Sequence, residues 1–116
     1  MATIVVMEDD AIVRNLVARV LEMQGHTVEA FPDAQPALDS VDFENVDLVI
    51  TDLRMPTPGD EAIQAIRTLG YEVPVVVMSG TLYSGVLRKL RSIGIQEVIE
   101  KPFKIQHLID VVDSLV

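Results

Sequence analysis

The chain contains no cysteine, which excludes disulfides and thiolate metal sites and leaves the redox compartment unmarked. Aromatic residues are scarce at 4%, so the 49% hydrophobic fraction is mostly Val, Ile, Leu, Ala and Met. That is the composition of a parallel sheet covered by helices. Positive charge is also short, with 9 basic residues against 18 acidic ones and a net charge of -9. Such a balance argues against nucleic acid or an anionic membrane as partner, because phosphate binding draws on a positive field, and it suits a bound cation better. No apolar run is long enough for a membrane span or a signal-peptide core; the first, Ile4 to Met7, ends in three acids. A cytoplasmic location is the expectation. Repeats and low-complexity tracts are absent too, and 116 residues make one domain, 1–116, with a real core.

What the chain does have is a set of short apolar runs that end in chemistry. The most pointed is Val46-Asp47-Leu48-Val49-Ile50-Thr51-Asp52, followed by Leu53-Arg54-Met55-Pro56. It reads as a buried strand that delivers Asp52 to a loop at its carboxyl end. Three other runs behave alike: Thr3 to Met7 leads into Glu8-Asp9-Asp10, Val75 to Met78 into Ser79-Gly80, and Gln96 to Glu100 into Lys101-Pro102. A fifth strand is predicted over Thr27 to Phe31. Helical spacing fills the intervals, with inward positions at Ile12, Val13, Leu16, Val17, Val20 and Leu21, then at Ala34, Ala37, Leu38 and Val41. It continues in Ala62, Ile63, Ile66 and Leu69, more weakly in Val86, Leu87 and Leu90, and finally in Ile105, Leu108, Ile109, Val112 and Leu115. Asp33 is the expected cap of the second helix, and capping is the favoured role for Asp10.

Five strands alternating with five helices predict an α/β fold with a single doubly wound, five-stranded parallel sheet of flavodoxin-like type. The carboxyl ends of its strands share one edge, where open sheets bind ligands. Glu8, Asp9, Asp10, Asp52, Ser79 and Lys101 then surround one crevice. Carboxylates held together repel, each pair by about 4 kcal/mol at about 4 Å and an effective dielectric of about 20. A divalent cation removes that repulsion, and hard oxygen donors without His or Cys select Mg²⁺ or Mn²⁺ over zinc. Beside it, Asp52 would serve as a nucleophile toward phosphorus, Ser79 would donate a hydrogen bond to a phosphoryl oxygen, and Lys101 would neutralise another. Taken singly, each residue has an ordinary role: a strand end, a turn, a solvated lysine. Their joint occurrence at four strand ends favours a site. His26 and His107 have no partner in the pattern and read as surface residues.

Four motifs, Ile4-Val5-Val6-Met7-Glu8-Asp9-Asp10, Asp47-Leu48-Val49-Ile50-Thr51-Asp52-Leu53-Arg54-Met55-Pro56, Val76-Val77-Met78-Ser79-Gly80 and Lys101-Pro102-Phe103, carry a specific likeness. Over its full length the chain resembles the receiver domain of bacterial two-component response regulators. The resemblance implies that Asp52 takes a phosphoryl group from a sensor histidine kinase or a phosphotransfer protein. It implies that Glu8 and Asp9 hold Mg²⁺ with Asp52, that the backbone carbonyl of Arg54 completes the metal shell, and that Arg54 and Thr81 tune hydrolysis. The peptide before Pro102 is usually cis in such domains. Chemistry is limited to self-catalysed phosphorylation and dephosphorylation. The output surface expected from the family is the fourth helix, fifth strand and last helix, and here Arg88, Lys89, Arg91, Lys101 and Lys104 concentrate positive charge between positions 88 and 104.

Three departures accompany the likeness. Asp60 stands where the loop after Asp52 usually carries a glycine, preceded by Pro58-Gly59. The interval from Asp52 to Ser79 is about three residues shorter than usual, a difference assigned to the third helix or the turn after it. Val98 replaces the common Tyr or Phe of the fifth strand, so a switch here would rely on the Ser79 loop and fourth helix. With no effector region after Val116, the chain reads as a stand-alone regulator or a piece of a longer protein, and Ser79-Gly80 resembles receivers of hybrid kinases. Two rivals stay open: an aspartate-nucleophile phosphatase of the haloacid dehalogenase type, and a phosphorylation-independent interaction module. The first requires a second Asp two places after the nucleophile, where this chain has Arg54.

Overall fold

The computed structural model describes residues 1–80 and 84–116. Five strands, β1 (Thr3–Met7), β2 (Thr27–Phe31), β3 (Leu48–Asp52), β4 (Val75–Ser79) and β5 (Glu97–Glu100), form one parallel sheet in the order β2-β1-β3-β4-β5. Between them lie α1 (Ala11–Met23), α2 (Ala34–Ser40), α3 (Gly59–Thr68) and α4 (Ser84–Ser92), with α5 (Ile105–Leu115) closing the chain. A short 3-10 turn, Phe43–Asn45, precedes β3. The predicted α/β sheet is therefore the one observed. Its chain leaves β1 toward β2 on one side and returns to β3 on the other, so the order reverses between β1 and β3. A crevice opens beyond the carboxyl ends of strands at such a reversal.

Strand composition follows position in the sheet. The central strands β3 (LVITD) and β4 (VVVMS) are buried at every residue, whereas the edge strand β2 (TVEAF) is largely exposed. Period-2 alternation divides the core in two. Val5, Met7, Val49, Val75 and Val77 face α2, α3 and α4 through Ala37, Ile63, Ile66 and Leu90. Ile4, Val6, Ile50, Val76, Met78 and Ile99 face α1 and α5 through Val17, Leu21, Leu108 and Val112.

Helix faces depart from the predicted stripes at their margins. Ile12 is 80% exposed and Leu16 is 41% exposed, while Val17 and Leu21 carry the packing of α1. At roughly 100° per residue, Ile12 and Leu16 lie about a quarter-turn or more from the centre of the buried arc, beyond what one helix can present to a sheet. The same limit leaves Ile105 at the edge of α5 exposed and buries Val111 instead, which the periodicity missed. Leu69 lies past the end of α3 and is exposed.

Asp10 caps α1, its Oδ1 accepting from the backbone N–H of Ile12 at 2.9 Å and Val13 at 3.3 Å. Asp33 occupies the cap position of α2 but makes no side-chain cap bond. Its carboxylate is turned to Thr57, as described below. His26 is half-buried rather than on the surface, its Nδ1 accepting from the Ala2 N–H at 3.0 Å.

At the far end of the sheet Arg67, on α3, has its guanidinium half-buried and donates to four carbonyls. These are Tyr71 at 3.0 Å, Val73 at 2.8 Å, Ile93 at 3.4 Å and Gly94 at 2.8 Å. One cation thereby ties the turn before β4 to the turn before β5. Removing it leaves several partly buried acceptors without their donor, so Arg67→Ala should lower the stability by about 1–3 kcal/mol. Arg91→Ala, on an exposed side chain, should change it by less than about 0.5 kcal/mol. Urea midpoints of the two variants at matched m-values make the comparison.

Candidate functional site

Strand register builds the site one step at a time. Met7 pairs with Thr51, so Glu8 and Asp52 are neighbours at the ends of β1 and β3. Asp52 pairs with Met78, which sets Ser79 one place beyond, and Ser79 pairs with Glu100, which sets Lys101 one place beyond that. The Lys101 N–H donates to the Ser79 carbonyl at 2.9 Å and extends the ladder to the crevice. Lys101 starts two strands from Asp52, roughly 10 Å at the usual strand spacing, a gap that a lysine stem spans across the small Ser79-Gly80 pair. The Lys101–Pro102 peptide is cis.

Glu8 has no solvent-exposed surface, and Asp52 and Ser79 are buried as well, while Asp9 is exposed. The Lys101 ammonium donates to Glu8 Oε1 and, at 3.2 Å, to Asp52 Oδ2. Asp52 Oδ1 accepts from the Leu53 N–H at 2.7 Å. One carboxylate oxygen from each of Glu8, Asp9 and Asp52 lies within 4.8 Å of the others. These donors fit a hard divalent cation: they are all oxygen, they converge, and they carry more negative charge than one lysine neutralises.

Burial pushes the Glu8 carboxyl up to about 7; the Lys101 hydrogen bond works against this, and Asp52 adds to the rise. Lys101 is raised because its bonds and charge interactions with Glu8 and Asp52 outweigh the opposing effect of its own burial. The acid is thus strained by its site while the base is favoured by it.

Of the residues singled out beforehand, Glu8, Asp9, Asp52, Ser79 and Lys101 share this crevice, and Arg54 follows Asp52 by two places with an exposed side chain. Val98 is half-buried on β5 and packs against the α3/α4 face. Thr81 lies outside the described residues. The basic cluster is smaller than its sequence suggests. Lys101 is committed to the carboxylates and the exposed Lys89 to Asp60 at 2.6 Å, which leaves Arg88, Arg91 and Lys104 as its exposed members outside these ion pairs. A cleft of about 560 Å³ beside Ser79 is lined by Leu53, Arg54, Val86 and that Asp60–Lys89 pair, among others.

Two residues were not anticipated. Arg14, which is not among the predicted inward positions of α1, turns its Nη1 back to the carbonyl of Glu8 at 2.9 Å and, at 3.5 Å, to that of Asp9. It clamps the backbone of the acidic loop. Gly59 is the glycine that the Asp52 loop requires, because a Cβ there would stand 2.0 Å from the Asp52 carbonyl oxygen. The close approach comes one residue before Asp60. A glycine inside a five-residue run with two prolines was the available signal.

The pH dependence follows from Glu8. Its carboxyl is raised from 4.5 to about 7 in the folded protein, so between those values the native state holds a proton that the unfolded chain has lost. Stability from this group is fully present below 4.5 and is lost as pH rises through 7. Metal-free protein should therefore lose stability across that window, and Glu8→Gln should flatten the slope. Mg²⁺ should reverse the loss by binding the ionised form, and urea midpoints with and without Mg²⁺ across the window read all three effects.

A family model described as the response regulator receiver domain matches residues 4–113. Response regulator MprA of Mycolicibacterium vanbaalenii is 30% identical over 109 residues, which cover 91% of this chain and 46% of that protein. The CAI-1 autoinducer sensor kinase/phosphatase CqsS of Vibrio cholerae is 31% identical over 103 residues, 85% of this chain and 15% of that one. The chain thus spans less than half the length of either relative. The structure of the chemotaxis response regulator CheY4 of Vibrio cholerae superposes with a TM-score of 0.91 over 100% of this chain and 99% of that one, at 24% identity. That last likeness speaks for the fold. The family model takes in nearly the whole chain, so this protein belongs to the response regulator receiver domains of two-component signalling.

Proposed function

We propose that Asp52 is the phosphoacceptor of this receiver domain and that Glu8, Asp9 and the Arg54 carbonyl hold Mg²⁺ with it. The observation that carries the reading is the convergence of three carboxylates within 4.8 Å, with the Lys101 ammonium 3.2 Å from Asp52. Mn²⁺ suits the same donors. A bound Mg²⁺ would offset the carboxylate repulsion and draw charge from phosphoryl oxygens. The remaining work falls to the chain. A carboxylate oxygen of Asp52 attacks phosphorus; the new O–P bond forms as the donor's P–N bond breaks, and the imidazole of the kinase or phosphotransfer protein leaves with the electron pair. Lys101 neutralises a phosphoryl oxygen in place of part of its present contact with the carboxylates. Ser79 donates its hydroxyl hydrogen to another.

The exposed Arg54 side chain is placed to shield the adduct from water, and Thr81 is assigned a similar influence from the family likeness. Both act on a self-catalysed step, which is the only chemistry ascribed to the chain. Among the described residues no helix is long and apolar enough to cross a membrane, and a cytoplasmic location accords with phosphotransfer from a kinase. The phosphatase and interaction-module alternatives are not favoured, since the residue two places after Asp52 is Arg54 and the phosphoacceptor set is intact.

Incubation with Mg²⁺ and a small phosphodonor should place one acid-stable, base-labile phosphoryl group on Asp52, seen by intact mass and peptide mapping. Asp52→Asn should abolish it, and an adduct that persists in that variant would sink the assignment. Turnover of a generic phosphate ester at enzymatic rates would favour the phosphatase instead.

Output is proposed at the face of α4, β5 and α5, where Arg88, Arg91 and Lys104 remain exposed. A partner selective for the phosphorylated form should bind less tightly in salt and in Arg88→Glu or Arg91→Glu. Val98→Ala should be tolerated better than Ser79→Ala, because Val98 is half-buried and too short to swing as an aromatic does. Partner affinity, or amide exchange in the absence of a partner, with and without a phosphoryl mimic measures this; changes that leave α4 and β5 unaffected would remove the proposed face.

A further inference from the structure

The loop from Leu53 to Gly59 carries the Arg54 carbonyl and has few ways to hold itself. Pro56 and Pro58 lack N–H groups, so Thr57 supplies the one backbone donor of the segment between them. At its base the Gly59 N–H donates to the Leu53 carbonyl at 3.0 Å, and Met55 is buried beneath. Its apex is held from elsewhere in the chain. Thr57 donates its N–H to Asp33 Oδ1 at 2.8 Å and its hydroxyl to Asp33 Oδ2 at 3.0 Å, across 24 residues of sequence. Both oxygens of Asp33 are therefore engaged by one residue, and the capping bond this aspartate would ordinarily give to α2 is forgone. Against a desolvation effect that acts the other way, hydrogen bonds from Thr57, with further contributions from the backbone N–H groups of Ala34 and Gln35, hold its carboxyl below the usual range.

We propose that Asp33 is a positioning residue for the cation site: by fixing Thr57 in two directions it holds the loop so that the Arg54 carbonyl stands ready as a ligand. The inference rests on the phosphoacceptor reading above. A clasp on the ligand-bearing loop acts through the orientation of the Arg54 carbonyl, and loss of a group that orients a ligand ordinarily weakens metal binding. The chemistry of transfer, by contrast, needs nothing from Asp33 once the cation is in place.

The test is calorimetric titration of Mg²⁺ itself into the parent, Asp33→Ala, Asp33→Asn, Thr57→Val and Asp39→Ala. Asp33→Ala should bind roughly tenfold more weakly, and Thr57→Val should lie between it and the parent. Asp33→Asn keeps an acceptor for the Thr57 N–H and a donor for its hydroxyl, so it should recover to within about threefold of the parent. Asp39, an exposed carboxylate of α2 bonded to Gln35, removes the same charge without touching the loop and should leave affinity unchanged. Phosphorylation from a small donor at saturating Mg²⁺ should proceed at the parental rate in Asp33→Ala, with the loss confined to the Mg²⁺ dependence. Parental affinity in Asp33→Ala, or an Asn variant as weak as Ala, would overturn the proposal and leave the phosphoacceptor reading intact. A parent that binds no Mg²⁺ would overturn both. Should Asp33→Ala fail to fold, Thr57→Val against the parent decides the matter.

Discussion

Everything distinctive about this domain depends on holding Glu8 and Asp52 out of water beside a single lysine. A carboxylate without exposed surface is tolerated only where hydrogen bonds and an opposite charge offset its desolvation. Here Lys101 contacts both acids and the Leu53 N–H supports Asp52, yet the carboxyl of Glu8 remains raised. The balance is incomplete, and a divalent cation at the proposed site would supply the charge that Lys101 alone does not. Stability and chemistry are thus set by the same three side chains, in opposite senses.

The sheet permits this because its centre is apolar on both faces. β3 and β4 are buried throughout and, Thr51 apart, carry apolar side chains up to their last residues, so the strained charges sit at the rim of a platform that does not itself rely on them. Backbone clamps hold the rim: Arg14 on the acidic loop, the Leu53–Gly59 closure, and Thr57 on Asp33. None of these reaches into the crevice. Separate groups supply rigidity and reactivity, so loops are able to carry the chemistry without regular structure of their own.

Most of this was legible in the sequence for a physical reason. A parallel sheet forces all carboxyl ends to one edge, so apolar runs ending in Glu8, Asp52, Ser79 and Lys101 announce both the topology and the site. What escaped notice depends on direction rather than on type. Arg14 looks like any polar residue on a helix until its guanidinium is seen to turn toward the Glu8 carbonyl, and Asp33 has the sequence of a helix cap while its bonds go to a loop 24 residues on. The glycine requirement at Gly59 arises from the proximity of the Asp52 carbonyl, which the proline-flanked run hints at but does not locate. Ile12 and Leu16 were misplaced because periodicity gives the apolar arc of a helix but not how much of it a neighbour covers.

The two ties on α4 are unequal, and that inequality bears on how a change at Asp52 would spread. Near its carboxyl end, Arg67 bonds the Ile93 and Gly94 carbonyls from a half-buried guanidinium that also holds Tyr71 and Val73. Further toward the amino end, α4 is joined to α3 by Lys89 and Asp60, an ion pair whose lysine side chain is 60% exposed. A surface pair of that kind is worth about 0–1 kcal/mol and weakens in salt, whereas several bonds from one partly buried cation break only together. Of these two ties among the described residues, the Lys89–Asp60 pair is therefore the weaker. With Val98 too short to act as a lever, a charge added at the proposed acceptor Asp52 would be read at α4 through the weaker of these ties.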